Sequence, residues 1–86
     1  MDSKTVREKV AMREKIADLA HRQWAGWMDY LFSKGTLNED GSWTMPVEFV
    51  DRWKRQAATD YIDLSGPEKD SDRKEADKFI EIFNTQ

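Results

Sequence analysis

Between Met12 and Leu31 the apolar side chains return every three or four positions: Met12, Ile16, Leu19, Ala20, Trp24, Trp27, Met28 and Leu31. That step matches the turn of an α-helix and gathers them along one stripe. Val6 and Val10 carry the stripe weakly toward the N-terminus, while Glu8, Arg13, Glu14 and Lys15 fill much of the opposite side. The spacing predicts a helix from about Thr5 to Ser33. Gly35 is placed to end it in the left-handed conformation that glycine adopts cheaply, and Gly26 is a candidate bend or break. So long a helix in a chain of only 86 residues leaves little else to cover it.

The remaining elements are predicted to be short. In "GTLNEDGSWTMP", Asp40-Gly41 is a tight-turn signal between Leu37 and Trp43, which reads as a short hairpin whose two apolar residues lean on the helices. The stretch is no calcium loop: with Gly41 at the sixth position, the twelfth is Val47 and not the glutamate that calcium needs. Pro46 suits the first turn of a second helix, with Val47, Val50, Trp53 and Ala57 at helical spacing, Phe49 beside them, and an end near Ala58. Tyr61, Ile62 and Leu64 are expected to order the connection that follows. Ser65-Gly66-Pro67-Glu68 fits a capping box, opening a last helix whose stripe is Ala76, Phe79, Ile80 and Phe83.

The expected fold is a mainly α, small domain of three to four helices with a short hairpin or structured loop. Residues 1–86 form one domain, with a core spanning about 5–84, a hairpin-like loop at 35–45 and a connecting loop at 59–66. The chain has no cysteine, so neither disulfides nor a thiolate metal site can supplement the core. Its apolar runs are too short to span a membrane, and "MDSKTVREKV" is too charged for a signal peptide. These features lead us to expect a soluble, cytoplasmic protein without a membrane partner. A net charge of -3, with acids and bases intermixed, argues against nucleic acid as the main partner.

The order of landmarks resembles the RyR domain, the repeat domain of ryanodine receptors. His21-x-x-Trp24 lies late in the first helix, and Tyr61-x-x-Leu64-x-x-x-x-Lys69-x-x-Asp72-Arg73 leads into the last helix's stripe. The likeness spans roughly Ile16 to Phe83 and is nearest to short phage-encoded versions. The chain lacks the family's Tyr-Gly-Pro after the His/Trp pair and carries "GTLNEDGSW" and a helix around Trp53 in its place. The resemblance implies a non-enzymatic, helical module with a nucleotide-derived ligand. As a phage accessory protein it would sequester a host defence signal in the host cytoplasm.

The residues and that resemblance together give the candidate ligand-binding set: His21, Trp24, Trp53, Arg55, Tyr61, Asp72 and Arg73. His21 either reaches a ligand or bonds a backbone carbonyl while packing on Trp24, one turn away. Arg73 reaches Asp63, Asp70 or a ligand phosphate, and Arg52 and Arg55 form a second candidate anion site. Trp24, Trp27, Trp53 and Tyr61 each hide about 150–250 Å² when packed. Three helices of this length cannot readily enclose them all, so ring surface is expected to stay open to a base, a host protein or a second copy. Trp27 and Phe79 are assigned mainly to the core. No cofactor or metal is expected, and a lone histidine offers the serines no catalytic partner. The alternatives are a module that blocks a host protein and, last, an enzyme acting on such a nucleotide.

Overall fold

The computed structural model describes residues 3–84 and consists of three helices and one hairpin. Helix α1 (Ser3–Ser33) is 31 residues long and runs unbroken through Gly26, so glycine there makes no bend. Strands β1 (Thr36–Leu37) and β2 (Trp43–Thr44) pair antiparallel, with Thr36 opposite Thr44 and Leu37 opposite Trp43. Helix α2 (Val47–Ala57), a single 3-10 turn (Tyr61–Asp63) and helix α3 (Gly66–Asn84) complete the chain.

The hairpin is tied by its own polar groups. The Asn38 amide donates to the Ser42 carbonyl at 2.8 Å, and the Gly41 amide donates to the Asn38 carbonyl at 3.1 Å. These bonds close a three-residue loop with Gly41 at φ 87, the left-handed position such loops reserve for glycine. The Asp40 carboxylate accepts from the Ser42 amide at 2.9 Å and from its hydroxyl at 2.5 Å. Those bonds, the hydroxyl's above all, hold the Asp40 carboxyl below its ordinary pKa. Asn38 Nδ2 donates to Ser42 Oγ and Thr44 Oγ1.

Gly35 is needed for closeness and not for a left-handed turn, since Gly41 is the one glycine with positive φ among the described residues. A Cβ at Gly35 would overlap the Trp43 indole, standing 2.6 Å from Cδ1, and would lie 2.8 Å from the Thr44 carbonyl. Trp43 in turn meets Phe32 edge-on at 5.8 Å. Leu37 stays exposed and does not lean on the helices.

Pro46 precedes α2 as its N-cap, and its carbonyl accepts from Phe49 and Val50. The inward face of α2 is Phe49, Val50, Trp53 and Gln56, whereas Val47 is exposed. The capping box forms as expected. Ser65 Oγ accepts from the Glu68 amide at 3.3 Å and donates to Glu68 Oε1 at 2.7 Å, and the Ser65 amide also reaches Oε1. These bonds, with Arg55 behind them, pull the Glu68 pKa down.

Helix α3 returns antiparallel along α1. Gln23 Nε2 donates to the Glu75 carbonyl at 3.5 Å, and Leu19 faces Lys78, Glu81 and Ile82. Leu19, 5% exposed, is the one fully buried apolar residue among the described residues. The α3 face in this seam carries Glu75, Phe79 and Ile82, so of the expected stripe only Phe79 faces α1. Ala76, Ile80 and Phe83 lie to one side of the seam and are exposed. On α1, Met12, Ile16, Leu19, Met28 and Leu31 are at least half-buried, but Trp24 and Trp27 are not. Ile62 is also exposed and orders nothing; Leu64 does that work in the connection.

The radius of gyration is 17.8 Å and the extents are 55 × 35 × 18 Å. A compact domain of this length has a radius near ~12 Å. The difference is the length of α1: at 1.5 Å per residue it reaches about 46 Å, against about 28 Å for α3 and about 16 Å for α2.

Candidate functional site

Where the C-terminal part of α1 meets α2, the 3-10 turn and the start of α3, the chain leaves an open groove of about 470 Å³. Helix α1 supplies Trp27, Met28, Tyr30 and Leu31, with Leu31 one turn beyond Trp27 and Met28. Helix α2 supplies Trp53, Gln56 and Ala57. Thr59, Tyr61 and Leu64 come from the connection, and Asp72 from the first turns of α3. Three rings run together along one side. Tyr30 meets Trp53 at 6.2 Å and 61°, and Phe49 backs Trp53 at 5.5 Å.

The groove's charge lies at its edge. Asp72 is the single ionised side chain in the lining. Two cations rest on these rings, Lys34 Nζ 5.1 Å from the Tyr30 ring centre and Lys69 Nζ 6.0 Å from that of Tyr61, and Arg73 lies near the Tyr61 hydroxyl. Arg73 donates to Asp70 at 2.9 Å, and that bond first, with the Tyr61 hydroxyl next, raises its pKa. Such a site presents flat apolar faces, a few hydrogen-bonding groups (Gln56, Thr59, the tyrosine hydroxyls) and cations beyond them. A volume of this size is ordinary for a small-molecule pocket.

The structure divides the seven residues predicted from the sequence. Trp53, Tyr61 and Asp72 come together in the groove, and Arg73 stands at its rim. His21 and Trp24 do not line it. They stack on each other at 5.9 Å and 28° on the α1 surface, and the carbonyl partner considered for His21 is not formed among the described residues. Arg55 is turned toward another concavity and held by Glu68 at 3.2 Å. The helix that carries it turns Trp53 inward and Arg55 outward, because residues two apart on a helix differ by about 200°.

Sequence reasoning missed Tyr30 and misassigned Trp27, which lines the groove and is exposed. The available signal was the stripe itself, since Leu31 stands one turn beyond Trp27 and Met28. Among the described residues, no group of three or more His, Cys, Asp or Glu side chains is placed to hold a metal ion. None of their helices is long and apolar enough to cross a membrane. No family, curated protein or solved structure matches the chain.

Proposed function

We propose that the groove binds a planar, nucleotide-derived small molecule without transforming it. The base would lie against Trp53 and the phosphate would point toward Lys69 and Arg73. The observation that carries this reading is the ring wall of Trp27, Tyr30, Trp53 and Tyr61 with cations on its rim and not in its floor. Stacking on such rings contributes roughly 1–3 kcal/mol per base, and a guanidinium or ammonium at the edge suits a phosphate. The resemblance to RyR domains adds the expectation that a phage-encoded module of this kind sequesters a host signal.

The test is tryptophan fluorescence and thermal shift against mono-, di- and cyclic nucleotides. A ligand at a hundred times its dissociation constant raises stability by about 2.7 kcal/mol. Trp53→Ala is expected to abolish the response, and Lys69→Ala to weaken binding of phosphorylated ligands but not of nucleosides. Silence from every nucleotide at millimolar concentration discards the reading. Release of a chemically altered ligand would instead make the protein an enzyme.

A further inference from the structure

A second apolar face lies on α1, N-terminal to the groove. Counted at about 100° per residue from Leu19, which marks the α3 side, Val6, Val10, Ala17 and Trp24 all fall about 140–180° round the helix. At the C-terminal end this stripe continues into Met28 and Leu31, which line the groove. Toward the N-terminus no other described element covers it. Val6 is 44%, Val10 55% and Trp24 59% exposed. On α3, Ile80 and Phe83 lie about 80–140° from Glu75, 53% and 54% exposed. Two antiparallel right-handed helices rotate in opposite senses seen from one end, so both sets emerge on the same side of the seam.

We infer that this face is covered by a second copy of the chain, as an antiparallel two-fold dimer centred on Ala17. The area supports it: the chain exposes 7061 Å², roughly a third more than the ~5,300 Å² expected of a folded monomer of its mass. That excess falls within the ~1,000–2,500 Å² that each subunit of an obligate homodimer hides. The spacing supports it as well. Val10, Ala17 and Trp24 are seven residues apart, the repeat of a helix-pairing seam. About an axis at Ala17, Val10 of one copy meets Trp24 of the other, and the small alanines let the backbones approach.

Charge selects the antiparallel sense. Residues 3–15 carry five bases (Lys4, Arg7, Lys9, Arg13, Lys15) and two acids (Glu8, Glu14), whereas residues 16–33 carry Asp18, Asp29 and Arg22. A parallel pair would align the two basic segments. The antiparallel pair sets each against the more acidic half. This inference is independent of the groove and its ligand.

Sedimentation and light scattering of the full chain between ~1 and ~100 µM, with melting curves over the same range, test it. The expected result is a dimer whose melting temperature rises with concentration. Ala17→Glu, a change to a good helix former at an exposed site, should give a monomer, and Lys15→Glu on the opposite side should remain dimeric. Single-cysteine variants give a readout that survives poor folding of Ala17→Glu. Ala17→Cys should oxidise to a disulfide-linked dimer, and Lys15→Cys and Val10→Cys should not. A monomer at ~100 µM with a concentration-independent melting temperature overturns the dimer, as does an Ala17→Glu variant that sediments like wild type. Self-crosslinking of Val10→Cys overturns the antiparallel arrangement.

Discussion

The two ends of α1 carry the same kind of residue pattern and meet opposite fates. Toward the C-terminus, Met28 and Leu31 sit among α2, the connection and the start of α3, and Phe32 meets the hairpin through Trp43. Toward the N-terminus, Val6 and Val10 repeat the helical step and stay exposed. Periodicity fixes which side of a helix is apolar, but coverage depends on whether another element reaches that far. Here α2 and α3 are too short to follow α1 along its whole length.

The sharpest way to break this comparison is at the boundary between covered and bare helix. Leu19→Ala empties the one fully buried apolar site among the described residues, at the α1–α3 seam. A loss of about 2–5 kcal/mol is expected by urea unfolding. A loss under about 1 kcal/mol would mean that α3 does not secure the middle of α1. At the covered end, Gly35→Ala forces a methyl group into the Trp43 indole. The expected cost is about 1–3 kcal/mol, with a changed near-ultraviolet signal from Trp43.

Smaller effects sharpen the picture. Ser65→Ala removes the hydroxyl that caps α3 and should cost about 1 kcal/mol in thermal unfolding. At Gly26 an added Cβ meets nothing within 4 Å inside an unbroken helix, so Gly26→Ala should stabilise by about 0.5–1 kcal/mol. A destabilised Gly26→Ala would argue that α1 needs freedom there.

The smallest expected effect is of pH. The Asp40 and Glu68 carboxyls both sit below their ordinary pKa, so the folded chain binds protons less readily than the unfolded one. Their contribution is complete at neutral pH. It is lost as pH falls from the ordinary carboxylate value through the lowered one. Melting temperature should therefore drop in acid, and Asp40→Asn should flatten part of that slope.

Local chemistry was legible where neighbours in sequence are also neighbours in space. The Ser65/Glu68 capping box, the Asp40-Gly41 turn, the tie between Asp70 and Arg73 and the stack of His21 on Trp24 all rest on contacts within a few residues. The groove was only partly legible, because its walls come from four separate segments. Trp53 and Tyr61 were recognisable as accessible rings, but nothing local shows that Tyr30 faces Trp53 or that Arg55 turns toward Glu68. The stripe on α3 was legible only at Phe79, for a related reason. Ala76, Ile80 and Phe83 make a plausible apolar stripe, yet the seam is set by what α1 presents, and Gln23 takes the Glu75 carbonyl there.

By itself, the sequence determined a mainly helical chain of three to four helices, a glycine turn and more aromatic surface than such a chain can bury. These follow from backbone period, turn stereochemistry and volume. Tertiary structure alone decided which rings share a wall, that Arg55 is held by Glu68 and how much of α1 stays bare. Those outcomes depend on helix lengths and relative rotation, and these are fixed only when the separate segments pack together.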